Sequence, residues 1–454
     1  MNRLVRRAAS APLAALAALG LPAAASAHQL SAVFESRLPL PIYLAGAAAA
    51  VALSFAFVLL RDVRAARPTD DGRRITPPAP LRVALRIVGL VGWAWIVAQG
   101  TFGGGASDAE VARLFLWVYG WVGLALVSAF VGPAWHFLDP FSTLHDLLAA
   151  ALRAAGIRGG DHAPYPARLG RWPAAVGFAA LVWLELVAEG GGSRTLFVLV
   201  LGYTAFTLAM MAQFGRDAWR ANGEMFGVWY RLLGRLAPLT HADDSGLLRR
   251  RSFAAGLLEG GWARPDLVLV ALGTGSILFD GLSQTAIWVE TFGLPATLPQ
   301  TVLLALFMAL IIGLTLVVAR LVGLPATGAG LLPIAVGYLF AHYLTYLLIE
   351  GQRIVVALSD PLQQGWDLLG TAFFEPSGDW LPPALVWTVQ LAAVVGGHML
   401  GAWGGHVVAA WHLGAREDSA DLRRRQVPLA LVMIFLTTLT LWSLGQSLFK
   451  PPAS

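Results

Sequence analysis

Ten long apolar segments dominate the chain and leave few folds open to it. They run near residues 41–61, 82–101, 113–133, 172–189, 195–214, 265–284, 299–320, 328–350, 383–408 and 428–447. Each is close to the roughly 20 residues an α-helix needs to cross a bilayer. In lipid a backbone must satisfy its own polar groups, which helices do within one segment. Composition agrees: 57% of the 454 residues are apolar and 13% are charged, against about 25% charged in a soluble domain. A water-soluble fold of this size would lack the polar surface to cover itself. The 17 Trp suit the membrane–water interfaces. The expected fold is therefore all-α, a polytopic transmembrane helix bundle of about ten spans.

Arg3, Arg6 and Arg7, the apolar run from Ala11 to Leu21, and Ala25-Ser26-Ala27 form a positive n-region, an h-region and an A-x-A site. This is the pattern of a cleavable secretory signal over residues 1–27, an uncleaved anchor being the alternative. Cleavage places the mature N-terminus outside, and ten alternating spans return the C-terminus outside. The basic residues test that orientation independently. Twenty-four of them, among them Arg61 to Arg86, Arg153 to Arg171, Arg216 to Arg264, Arg320 and Arg416 to Arg425, fall on the expected inner side. Five, Arg37, Arg113, Arg194, Arg353 and Lys450, fall outside. The same distribution accounts for the net charge of +5 without any nucleic-acid partner. The absence of Cys excludes disulfides, thiolate metal sites and thiol catalysis.

One transmembrane domain is expected over residues 28–450, with a short tail at 451–454. Two long inner connections, about 134–171 and 215–264, read as interfacial. The first holds the amphipathic run from Phe141 to Arg153, and the second holds Trp219, Trp229 and Tyr230 among arginines. The outer loop, about 351–382, carries Asp360, Asp367, Glu375 and Asp379 with Trp366, Phe373, Phe374 and Trp380. It reads as an interfacial loop or as a lid over a membrane pocket.

Ionisable side chains at membrane depth cost about 2.5–3.5 kcal/mol each on insertion scales, so they mark function or internal pairing. Glu185, Asp280, His342 and Glu350 fall in the outer half of their spans, His398 nearer the centre and His406 near the inner face. His398 and His406 share a helix face but stand roughly 12 Å apart in height. Asp280, His342 and His398 form the better trio, a donor set for Zn, Mn or Fe, and such a metal could activate water. Glu185 or Glu350 would serve as base or second layer. The competing reading is a hydrogen-bonded network that ties helices together. Gly396, Gly397, Gly401, Gly404 and Gly405 suit close helix approach, and His136 and His145 lie at the inner boundary. Signal cleavage would also expose His28 as an N-terminal amine and imidazole able to chelate copper.

Leu38-Pro-Leu-Pro-Ile-Tyr43, Trp183-Leu-Glu-Leu-Val187, Phe279-Asp-Gly-Leu-Ser283, Ala341-His-Tyr343 and Gly397-His-Met-Leu-Gly401 resemble the bacterial membrane-bound fenitrothion hydrolase family. The resemblance extends over essentially the whole mature chain. It implies a multi-pass protein of the bacterial inner membrane that hydrolyses an apolar organophosphorus triester and releases a nitrophenol. It carries no assignment of catalytic residues, so Asp280, His342, Glu185 and Glu350 as catalytic groups rest on the residues themselves. Two other functions fit the sequence: a copper-handling or transport protein using His28 and the intramembrane His, and a non-catalytic subunit working with a co-encoded membrane partner.

Overall fold

The computed structural model describes Leu53 and residues 74–105, 110–157, 161–188, 190–241, 247–293, 296–413 and 419–444. The signal, His28 and all of the first apolar segment but Leu53 lie outside these residues. The chain runs through α1 (Ala79–Phe102), α2 (Val111–Phe130), α3 (Ala134–Leu138), α4 (Pro140–Ala154), α5 (Trp172–Leu186), α6 (Ser193–Phe214), α7 (Arg216–Asn222) and α8 (Met225–Leu233). It continues through α9 (Arg264–Ser283), α10 (Ala286–Phe292), α11 (Thr297–Val322), α12 (Leu324–Glu350), α13 (Ile354–Ser359), α14 (Pro383–Leu413) and α15 (Ser419–Leu444). Among the described residues eight helices are long and apolar enough to cross a membrane: α1, α2, α6, α9, α11, α12, α14 and α15. The apolar α5 has only 15 residues.

The helix ends follow local chemistry. Prolines occupy the first turns of α1, α4, α5, α9 and α12, where no intrahelical N–H is lost. Asp139 caps α4 by accepting from the N–H groups of Phe141 and Ser142. Gly323, at φ 91°, is the single residue between α11 and α12, a conformation that a Cβ would oppose.

The apolar surface points two ways, as a bilayer requires. Leu298, Leu306, Leu310 and Val317 of α11, and Ile87, Val88 and Val91 of α1, are exposed. Every residue of α9 from Pro265 to Asp280 is buried, and this central helix packs against α5, α11, α12 and α15. An extended close approach joins α12 to α14. A Cβ at Gly337 would lie 2.6 Å from the Ala393 carbonyl oxygen, one at Gly397 2.6 Å from that of Pro333, and one at Gly401 2.2 Å from that of Gly330. Numbers fall along one helix as they rise along the other, so the pair is antiparallel. Gly396 has open space beside it and takes no part in this contact, whereas Gly397, Gly401, Gly404 and Gly405 all meet neighbours.

Two features escaped the periodicity of the sequence. Residues Leu114–Leu124 within α2 form wide i→i+5 turns, a rare geometry that recurs at functional sites. A small antiparallel sheet also forms from β1 (Arg74–Ile75), β2 (Leu239–His241) and β3 (Leu248–Arg250), in the order β1-β3-β2.

The segment expected to lie on the inner membrane surface around Trp219, Trp229 and Tyr230 is held inside protein instead. All three side chains are buried. The Trp229 ring covers Gly273 in the middle of α9, and the Tyr230 hydroxyl donates to the Gly120 carbonyl of α2 at 2.8 Å. Glu224 secures this insertion: it accepts from Trp135 Nε1, the Tyr203 hydroxyl and the N–H groups of Phe226 and Gly227. Burial, with Asp139 nearby, pushes its carboxyl above the ordinary glutamate value. Glu224→Ala strands these donors and is expected to cost about 3 kcal/mol, read as a lower unfolding midpoint in detergent micelles.

Candidate functional site

Three helices bring four ionisable side chains together near the C-terminal ends of α5 and α9. Asp280 and Gln284 are one turn apart on and just beyond α9, and Gln284 Nε2 donates to Asp280 Oδ1 at 2.6 Å. His342 and Tyr343 are neighbours on α12, roughly 100° apart around the axis, so one faces α9 while the other reaches toward α5. His342 Nε2 lies 2.9 Å from Asp280 Oδ2. The Tyr343 hydroxyl lies 3.1 Å from Glu185 Oε1 and 3.2 Å from Asp280 Oδ2. Glu185, Asp280 and His342 are each 8% exposed.

This geometry fixes a proton count. The Tyr343 hydroxyl has one hydrogen and can donate to only one of the two carboxyls. The other must carry a proton of its own to keep its bond to the phenol oxygen. Asp280 faces three donor groups, those of Gln284, His342 and Tyr343, while Glu185 faces Tyr343 alone. The carboxylate charge therefore belongs on Asp280 and the proton on Glu185, because the carboxyl with more hydrogen-bond donors holds the charge more cheaply. Glu185 Oε2 is buried with no hydrogen-bond partner, which a neutral carboxyl tolerates and a carboxylate does not.

Asp280, His342 and Glu185, expected on one site, meet here. The other candidates do not. Glu350, about two turns further along α12, pairs with Arg353. His398 is on α14, its Nδ1 3.0 Å from Thr437 Oγ1 of α15. His406, lower on α14, has its Nδ1 2.7 Å from Gln426 Oε1. The Asp280–His342–His398 metal trio is thus not assembled, and among the described residues no three His, Asp or Glu side chains stand close enough to hold a metal ion. The donors around Asp280 form a hydrogen-bonded acid–base network.

Tyr343 is the member that a search for charged residues overlooks. Its phenol is not costly enough to stand out, although its place beside His342 in Ala341-His-Tyr343 was visible. Two acids of the loop at 351–382 serve its own turns: Asp360 accepts from the N–H groups of Gln364 and Gly365, and Asp367 from Ser359 Oγ and the Ala372 N–H.

A second polar region lies around the N-terminal end of α4. His136 Nδ1 meets Arg220 Nη2 at 3.1 Å, and burial, together with Arg220 and His241, lowers the imidazole to about 3, so it stays neutral. Nearby, His145, Asp146, Arg153, His162 and Arg216 line a cleft of about 550 Å³. Asp146 binds both Arg86 and Arg216. Partial burial pushes its carboxyl up, but those two arginines outweigh burial and hold it below the ordinary aspartate value. A depressed carboxyl stabilises the fold above its unfolded value, near 4, and loses that contribution as pH falls through the folded value. Asp146→Asn is expected to lower the unfolding midpoint at pH 7 and to converge on wild type as pH falls through the folded value.

Comparison of the chain with known proteins finds no matching family model, no similar curated protein and no similar solved structure.

Proposed function

We propose that this chain is a multi-pass hydrolase of the bacterial inner membrane acting on apolar organophosphorus triesters. The observation that carries the reading is His342 Nε2 at 2.9 Å from Asp280 Oδ2, a carboxylate-held imidazole within a bundle of apolar helices. In this reading about ten spans place both termini outside. The basic residues gathered on one side of the spans support that orientation by the positive-inside rule, and it sets the cluster in the outer half of the membrane.

The chemistry needs only what these residues supply. A triester partitions into lipid and reaches the cluster laterally. With Nε2 committed to Asp280, the other ring nitrogen of His342 takes a proton from water as the water oxygen bonds to phosphorus. The phosphorus–aryloxy bond breaks, and nitrophenolate leaves as an anion, so no acid is required for the leaving group. Asp280 stabilises the imidazolium that forms, and Tyr343 keeps Asp280 in place. Water in the product phase collects the proton.

The test is release of nitrophenolate by purified protein in proteoliposomes supplied with a dialkyl nitrophenyl phosphorothioate. Turnover above protein-free vesicles is expected. A well-folded protein that releases none, alone or with its co-encoded neighbours, sinks the hydrolase reading. The buried, unpartnered Glu185 Oε2 favours one second reading, a proton-coupled carrier. That reading predicts solute uptake driven by a pH gradient and no triester cleavage.

A further inference from the structure

Buried polar side chains continue from the cluster into the middle of the bundle. At Gly281 a Cβ would lie 3.2 Å from Ser443 Oγ and 3.7 Å from His342 Cε1. The serine hydroxyl and the imidazole thus both border the space that the missing side chain leaves. Ser443, Thr440 and Thr437 follow at intervals of three residues along one face of α15, all of them buried. Tyr338 lies one turn below His342 on α12, and its hydroxyl sits beside Thr437 and Thr440. Thr437 Oγ1 then lies 3.0 Å from His398 Nδ1.

Packing alone does not explain this file. Ser443 and Thr440 donate to carbonyls of their own helix, as membrane hydroxyls commonly do. Tyr338 does not bond to its own helix: it is fully buried, and its hydroxyl turns to the hydroxyls of Thr437 and Thr440. A phenylalanine would avoid the cost of burying that group. Beyond His398, among the described residues, apolar side chains follow. Met433 presses on Gly401 and Leu429 on Gly330 and Gly405, and the next polar pair, His406 and Gln426, stands about 12 Å further down α14.

We propose that Ser443, Thr440, Tyr338 and Thr437 form a proton path between the Glu185–Tyr343–Asp280–His342 cluster and His398, closed on its far side by Leu429 and Met433. The proposal rests on reading the cluster as a proton-holding site. Each hydroxyl accepts a proton on a lone pair and releases its own to the next group, so nothing is consumed along the file. The proton that leaves Glu185 or His342 arrives on the His398 ring.

The test follows exchange of the His398 ring proton with solvent, by nitrogen-15 histidine NMR on the full chain in lipid nanodiscs. Tyr338→Phe and Ser443→Ala leave the four cluster residues and His398 in place and are each expected to slow that exchange by about tenfold. Gly281→Ala, which places a methyl group against both Ser443 and His342, gives a third variant should either of the first two fail to fold. Exchange unchanged in the folded variants overturns the path. The infrared band of a protonated carboxyl, lost in Glu185→Gln, reports the cluster separately. With that band present and exchange unchanged, the path fails and the cluster stands; with the band absent and exchange slowed, the proton-holding cluster fails and the file stands as a solvent route to His398.

Discussion

Under the proposed hydrolase function, His342→Ala is expected to lower nitrophenolate release by about 10²–10⁴-fold, the usual worth of a positioned general base, while the protein reaches the membrane in normal yield. Asp280→Asn is expected to fall in the same range. The amide cannot stabilise an imidazolium, and its NH₂ group opposes one of the donors now aimed at the carboxylate. Glu185→Gln distinguishes this arrangement from two charged carboxyls. If Glu185 already carries the proton, glutamine is close to its isostere and activity changes less than about threefold; a charged Glu185 would make the same change costly by an order of magnitude or more. Tyr343→Phe removes the hydroxyl from both carboxyls and is expected to shift the pH profile as well as the rate. Glu350→Ala and His398→Ala lie outside the cluster and are expected to leave the rate within about threefold. Equal losses for all six variants would contradict the site.

The second large effect concerns the α12–α14 contact. Gly401→Leu drives a side chain into the Gly330 carbonyl, where a Cβ alone would already lie 2.2 Å from the oxygen. Backbone cannot give way as a flexible side chain can, so the helices must separate. That forfeits the close packing which holds membrane helices together where no hydrophobic effect acts between them. The expected loss is about 3 kcal/mol or more, seen as a failure to purify as a single species in detergent or as a sharply lowered unfolding midpoint. Gly396→Ala, one turn and one residue away but facing open space, is the control. It should be neutral or stabilising by up to about 1 kcal/mol through helix propensity. A neutral Gly401→Leu would remove the close contact from the description of the fold.

Much of the fold could be read directly. Helix type and approximate limits followed from apolar length: segments expected at 265–284 and 299–320 correspond to α9 at Arg264–Ser283 and α11 at Thr297–Val322. A strongly apolar run of about 20 residues has one economical conformation in lipid. The wide turns of α2 were invisible because i→i+5 bonding is selected by what the turn packs against, here Trp117 reaching the Gly190 carbonyl and Tyr230 meeting Gly120. No local composition specifies such contacts.

The site divides along the same line. The cost of burying charge singled out Glu185, Asp280 and His342 from sequence alone, and position within each segment set their common depth. Depth and helix face are properties of one helix, and a sequence read one helix at a time determines both. Which helices become neighbours is decided by surfaces spread over the whole chain, such as Gly330, Gly337, Gly397 and Gly401 closing α12 on α14. That closure is what holds His398 beside Thr437 and away from Asp280, and what leaves Tyr343 free to bridge Glu185 and Asp280. Only tertiary structure could decide it, because side-chain bonds reach about 3 Å while the choice among helix neighbours moves a residue by a full helix diameter, about 10 Å.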